Sequence, residues 1–280
     1  MMKALSLKGS LLGAIRNLMI RGRSLTHNNE PVATYRSKKW FLVPFPEEKG
    51  APYVADNLAT VSSSSFREDS AFQAALRASE SRWEIGGMQR DISWRLHTAL
   101  FAARLGVAGS EPGDKLIELG TGPGFMAAGI LQAFGPGLLR KRELDFFLMD
   151  TFLPNWQEEN KLGPMQVNPK YYANGVDDVR DYFSRYPNVH VVVGQLPASL
   201  KELPSGGKIA FLHVDLNSAS AERSSLQQIK GRLRSRSVVL FDDATNPGCQ
   251  DQLEVHRKFA REFETTLLEL PTGQALMLCP

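Results

Sequence analysis

Lys115-Leu116-Ile117-Glu118-Leu119-Gly120-Thr121-Gly122-Pro123-Gly124 is the stretch whose reading decides the fold. Its first half is a short apolar run, and its second half carries glycine at every second position. Met126, Ile130 and Phe134 follow at i, i+4 and i+8, until Gly135-Pro136-Gly137 stops the pattern. A strand, a tight glycine turn and an amphipathic helix form the unit from which open α/β sheets are wound. Alternate glycines let the backbone turn sharply and let a ligand lie against bare main chain. The dinucleotide fingerprint requires Gly-x-Gly-x-x-Gly, yet position 125 is Phe and the third glycine stands one residue early. That spacing suits a nucleoside with an amino-acid arm better than a pyrophosphate.

Working outward, Ile92, Leu96 and Leu100 mark a helix over 91–105, and Leu144–Met149 reads as a buried strand ending at Asp150. Val176, Val179 and Phe183 mark the next helix, and His190–Val193 a third strand. Lys208–Val214 is a fourth strand, followed by a helix carrying Leu226, Ile229 and Leu233. Ser237–Phe241 is a fifth, followed by a helix with Val255 and Phe259. This alternation predicts an α/β, doubly wound sheet with helices on both faces. Thr265–Leu270 and Gln274–Cys279 are separated only by Pro271-Thr272-Gly273, too short for a parallel crossover, so they form an antiparallel hairpin. The expectation is a mainly parallel, seven-stranded sheet closed by that C-terminal hairpin.

Acids mark the strand ends, where open α/β sheets bind ligands. Glu118 precedes the glycines and is placed to attract a ligand's ammonium. Asp150, with Thr151 beside it, is placed to accept hydrogen bonds from two ribose hydroxyls. With Gly120, Thr121, Gly122 and Gly124 these residues make the expected cofactor cradle; the competing reading is a glycine turn with no ligand. Gln195, after Gly194, is the candidate for an adenine edge, or else a solvated glutamine after a turn. Asp215 ends the fourth strand and Asp242-Asp243 the fifth. Neighbouring parallel strands bring these three carboxylates to one rim, where they repel unless a cation or proton sits between them. Oxygen ligation selects a hard divalent ion, magnesium first and manganese or calcium after. Asn217 stands close enough to add an amide oxygen. The alternative is that Asp242-Asp243 begin a turn and cap a helix near Gly248.

The run His213-Val214-Asp215 followed by Asp242-Asp243, with Asp150-Thr151-Phe152 and the closing Leu270-Pro271-Thr272-Gly273-Gln274, resembles class I S-adenosylmethionine-dependent methyltransferases. Within them it is similar to the metal-dependent sugar O-methyltransferases of the macrocin O-methyltransferase type. The resemblance covers approximately residues 83–280, and the antiparallel end of the sheet agrees with it. It implies S-adenosylmethionine as cofactor, magnesium on Asp215, Asp242 and Asp243, and transfer to a hydroxyl of a small molecule such as a sugar or glycoside. Asp215 would take the proton, and His213, two residues earlier on the same strand face, is the rival base. The chain departs from the family pattern at Asn217, where a second Asp is usual, and at Ala244, where Tyr is common. Those departures bear on the acceptor and the base. A second class of reading is a non-catalytic cofactor-binding interaction protein on the same fold. A third, a nicotinamide oxidoreductase, is disfavoured by the early third glycine.

Composition bounds the rest. The 280 residues are 42% hydrophobic and 22% charged, enough for a sizeable core. With 33 Lys+Arg against 30 Asp+Glu the net charge is +3, too small to point to nucleic acid. Two cysteines, Cys249 and Cys279, make no disulfide framework, and the expectation is a soluble cytoplasmic protein. The longest apolar run, near Leu11–Ile20, is broken by Arg16 and Asn17 and falls short of the ~20 residues of a membrane span. Residues 1–29 are basic without an acid, and Leu11, Ile15 and Leu18 make a helical stripe. A docking helix, a lipid-touching surface helix and a transit peptide all fit that composition. Residues 1–82 are read as a lid or dimerisation arm, compatible with a homodimer, and 83–280 as the catalytic domain. Trp83-Glu84 and Met88 are placed to close over a cofactor, or simply to pack at a helix entrance.

Overall fold

In the computed structural model, which describes residues 53–55, 58–60, 62–83, 91–153, 175–246 and 248–280, an antiparallel pair comes first. It joins Tyr53–Ala55 (β1) to Leu58–Thr60 (β2) and is followed by two helices, Ser70–Trp83 (α1) and Ser93–Ala108 (α2). Lys115–Leu119 (β3) then leads through the glycine loop into Phe125–Phe134 (α3). Leu138–Arg142 (α4), Asp145–Asp150 (β4), Gly175–Phe183 (α5) and Val189–Val193 (β5) follow. The second half runs Ile209–Val214 (β6), Ala219–Ile229 (α6), Leu233–Phe241 (β7), Gln250–Glu262 (α7), Leu268–Glu269 (β8) and Ala275–Leu278 (β9).

The seven-stranded sheet has the order β5-β4-β3-β6-β7-β9-β8, parallel from β5 to β7 and antiparallel where β9 joins β7 and β8 joins β9. Every residue of β3 and of β6 is buried, the signature of central strands covered on both faces. One apolar cluster joins α1, α2 and α3 to one face, through Phe72, Leu96, Met126, Ile130 and Phe211. The other joins α6 and α7 to the opposite face, through Leu226, Ile229, Val255 and Phe259. The sheet is therefore doubly wound, as its alternation predicts.

Several boundaries differ from the sequence reading. The strand expected at Thr265–Leu270 is only Leu268–Glu269, and the helix expected over 91–105 runs Ser93–Ala108. Two more differences lie around β7. The helix expected to include Leu233 stops at Ile229, and Leu233 opens β7 after a short 3-10 turn at Lys230–Arg232. β7 also begins earlier than Ser237, because Arg234, Ser235 and Arg236 continue it as a partly exposed stretch. Helix α1 sits tightly on α3. Ser79 Oγ donates to the Phe125 carbonyl at 2.6 Å, and a Cβ on Gly129 would meet Ser79 Oγ at 2.5 Å and Leu96 Cδ1 at 2.7 Å. Glycine at 129 is what lets the helices approach this closely. Among the described residues no helix is long and apolar enough to cross a membrane. The basic stripe near Leu11–Leu18 and the lid residues Glu84 and Met88 lie outside the described residues.

Candidate active site

Parallel register builds the site. Leu119 pairs with Val214 and Val214 with Phe241, so the residues after these strands stand side by side at one rim. The Asp215 N–H donates to the Leu119 carbonyl, and the Asp242 N–H to the Val214 carbonyl, both at 2.8 Å. Phe152, Asn217 and Asp243 carry positive φ values of 54°, 53° and 50° at the ends of β4, β6 and β7. Strained non-glycine backbone of this kind gathers where a fold over-determines a site.

The glycine loop bends as its composition requires. Gly120, Gly122 and Gly124 have φ of +87°, +55° and +88°, and α3 begins directly after Gly124. Asp150 braces this loop from the next strand. Its Oδ2 accepts the Gly122 N–H at 2.7 Å, and its Oδ1 accepts the Phe152 N–H at 2.8 Å and the Thr151 hydroxyl at 3.3 Å. Burial pushes the Asp150 carboxyl above the usual carboxylate range, and the two N–H bonds pull it back. A carboxylate has about four acceptor positions, so a bidentate diol would use the remaining one and take over that of the Thr151 hydroxyl. Thr121 is buried in the loop, with its N–H 3.4 Å from the Met149 carbonyl. Gln195 stands exposed just past β5, where the Gly194 N–H donates to the Asp150 carbonyl at 2.9 Å.

Glu118 and His213 are register partners on β3 and β6. Both are buried, and His213 Nδ1 lies 2.9 Å from Glu118 Oε1. Burial raises the Glu118 carboxyl above its ordinary range, against the hydrogen bond from His213. The His213 Nε2 has no hydrogen-bond partner among the described residues. Its ring therefore faces the buried acid beneath the glycine loop, and the group formed by the three aspartates does not include it.

Asp215, Asp242 and Asp243 each offer a carboxylate oxygen, all within 4.8 Å of one another. Burial, and then the carboxylates of Asp242 and Asp243, push the Asp215 carboxyl well above the usual range, against the pull of Arg95. Asn217 turns its amide nitrogen to Asp215 Oδ1 at 3.4 Å. Ala244 is buried in the apolar cluster behind the rim.

Arg95 is the residue that periodicity misses. It reaches from α2, with a nearly buried side chain, and its Nη1 donates to Asp242 Oδ2 and, at 3.0 Å, to Asp243 Oδ1. Asn246 donates to that same Asp243 oxygen. The second oxygen of Asp242, Oδ1, is buried and has no hydrogen-bond partner among the described residues. An all-oxygen donor set with one orphaned carboxylate oxygen fits a hard divalent cation. Asp215, Asp242 and Asp243 are the residues that would hold it. Arg82 is a second omission. Its Nε donates to the Pro123 carbonyl at 2.9 Å, its guanidinium pairs with Asp178 of α5, and it lies 4.4 Å from the Tyr182 ring centre. It ties α1 to the glycine loop and to α5.

Residues 117–244 match a family model described as a methyltransferase domain. No curated protein matches the chain. Among solved structures, CalS11, described as a calicheamicin methyltransferase, is 20% identical over 68% of this chain and 80% of its own, with a TM-score of 0.51. Its apo form, described as a TDP-rhamnose 3'-O-methyltransferase, is 20% identical over 68% of this chain and 81% of its own, with a TM-score of 0.48. The O-methyltransferase NovP is 19% identical over 66% of this chain and 78% of its own, with a TM-score of 0.47. At 20% identity the likeness to CalS11 is one of fold.

Proposed function

We propose, from the premise that this chain carries a class I S-adenosylmethionine-dependent methyltransferase domain, that it methylates a hydroxyl oxygen of a small molecule such as a sugar or glycoside. In this reading magnesium is held by Asp215, Asp242 and Asp243. The observation that carries it is one rim bearing both an Asp150-braced glycine loop and, on the next two strands, a cluster of three carboxylates with an orphaned oxygen.

S-adenosylmethionine supplies an electrophilic methyl on a sulfonium, and magnesium supplies positive charge that lowers the pKa of a neighbouring hydroxyl. The protein's own share is geometric and electrostatic. Gly120, Gly122 and Gly124 offer bare main chain, and Asp150 fixes the nucleoside end by accepting hydroxyl hydrogen bonds. Asp242 and Asp243 would hold the dication together with Asp215, whose carboxylate also accepts the proton that the substrate hydroxyl releases. The Glu118–His213 pair braces the floor of the cofactor side.

Asp150→Ala is expected to weaken S-adenosylhomocysteine binding by roughly 2–3 kcal/mol, about 30- to 150-fold, as two hydrogen bonds to a charged acceptor are lost. Isothermal calorimetry reads this directly, and affinity within a factor of about two of wild type would remove Asp150 from the cofactor site. The reaction itself is tested by following S-adenosylhomocysteine release from S-adenosylmethionine across a panel of glycosides and polyols. Turnover that falls at least about tenfold in EDTA and returns with magnesium is the expected outcome. Full activity in excess chelator removes the metal from the reading. Cofactor binding with no turnover on any hydroxylated acceptor favours the non-catalytic platform instead.

A further inference from the structure

We propose that Arg95 is an internal counter-ion that occupies the carboxylate cluster when no divalent cation is bound, so that arrival of the cation and withdrawal of the guanidinium are one coupled event. The inference rests on the metal-binding reading above and adds to it a residue of α2 that controls how tightly the ion is held.

The geometry supports it from three sides. A single atom, Arg95 Nη1, donates to one oxygen of Asp242 and one of Asp243. It thereby stands between two of the acids that would grip the ion. A magnesium-sized cation needs its oxygens at about 2.0–2.1 Å in near-octahedral order. A guanidinium nitrogen wedged between one oxygen of Asp242 and one of Asp243 crowds that arrangement and repels the incoming charge. The Arg95 side chain is nearly buried, as is Asp242. A guanidinium so placed keeps two desolvated carboxylates compatible with the fold in the absence of metal. The buried Oδ1 of Asp242 has no hydrogen-bond partner among the described residues, and Arg95 bonds the other oxygen of that carboxylate. An arriving cation therefore has a first oxygen to attach to before the guanidinium leaves. Asn246, which already donates to Asp243 Oδ1, keeps that carboxylate oriented during the exchange.

Such a site discriminates by charge. A monovalent cation gains little by replacing a guanidinium that already makes two hydrogen bonds, whereas a dication gains more from the same oxygens. Arg95 thus acts as a positioning residue that filters what the cluster accepts.

The test titrates full-length protein with Mn²⁺ and follows the free ion by electron paramagnetic resonance, for wild type, Arg95→Met and Arg95→Lys. Arg95→Met is expected to bind Mn²⁺ at least about tenfold more tightly than wild type, with Arg95→Lys close to wild type. A second measurement needs no altered cluster. The Arg95 side-chain N–H resonances of ¹⁵N-labelled wild type, identified by their absence in Arg95→Lys, are expected to be slowly exchanging without metal. They should lose that protection when diamagnetic Mg²⁺ is added. Mn²⁺ binding by wild type with the Arg95 resonances unmoved at saturating Mg²⁺ overturns the coupling while leaving the metal site standing. Equal or weaker binding by Arg95→Met does the same. Failure of all three proteins to bind Mn²⁺ overturns the metal reading itself, and the coupling with it.

Discussion

Asp215→Asn is expected to lower turnover by about 10³-fold, the scale of losing a positioned proton acceptor next to a metal. S-adenosylhomocysteine affinity should meanwhile stay within about threefold of wild type. The side chain belongs to the carboxylate cluster at the end of β6, while the Asp150 brace stands at the end of β4, on the far side of β3. The backbone of Asp215 bonds Leu119 and is untouched by the change. The fold should not suffer either. The Asp215 carboxyl is pushed up by burial and by Asp242 and Asp243, so its charged form is disfavoured in the native state. A neutral isostere relieves that repulsion, and the melting temperature is expected to hold or rise slightly. Steady-state kinetics, calorimetry and a thermal melt together check the prediction. Loss of cofactor affinity in step with turnover would place Asp215 in the cofactor site instead. His213→Gln supplies the contrast. Because that ring bonds buried Glu118 beneath the glycine loop, its replacement should disturb cofactor affinity at least as much as turnover.

How much of this was legible in the sequence follows from where the physics is local. β3, β4 and β6 read as mainly apolar runs because each is covered on both faces, and their ends are marked by Gly120, Asp150 and Asp215. The start of β7 was not legible, since Arg234, Ser235 and Arg236 look like a loop and fall in an irregularity where pairing with β6 skips from Leu233 to Val238. The aspartate cluster was legible because parallel register converts strand ends into neighbours. Arg95 was not, although a signal existed. It lies three residues after Ile92 and one before Leu96, on the apolar side of α2, where an unpartnered guanidinium is costly. A cationic residue on a buried stripe, in a chain with three acids gathered at one rim, demands a pairing that periodicity alone does not weigh. The bond from Arg82 to the Pro123 carbonyl spans 41 residues and leaves no local trace.

Gly120→Ala is expected to cost about 4 kcal/mol or more, enough to make the protein insoluble or to lower its melting temperature by roughly 8–16 °C. Two effects combine, and their sizes can be separated. Gly120 has φ +87°, where an L-residue pays about 1–2 kcal/mol. A Cβ there would also stand 1.8 Å from the Asp215 carbonyl oxygen and 2.6 Å from its carbon, both main-chain atoms. Hydrogen-bonded backbone just past the ends of a parallel pair cannot step aside as a flexible side chain would. Relief requires β3 and β6 to part at the rim, with loss of the Asp215 N–H bond to Leu119 and displacement of the carboxylate cluster. Gly113→Ala isolates the first effect, for Gly113 has φ +83° but nothing within 4 Å of its would-be Cβ. It should cost only the conformational penalty, a shift of roughly 2–8 °C. Thermal melts of the two variants, with Mn²⁺ and S-adenosylhomocysteine titrations on whatever folds, measure the difference. If Gly120→Ala melts no lower than Gly113→Ala, the glycine loop does not press against the end of β6. The cofactor cradle and the carboxylate cluster would then not share the rim on which a methyl transfer between them depends.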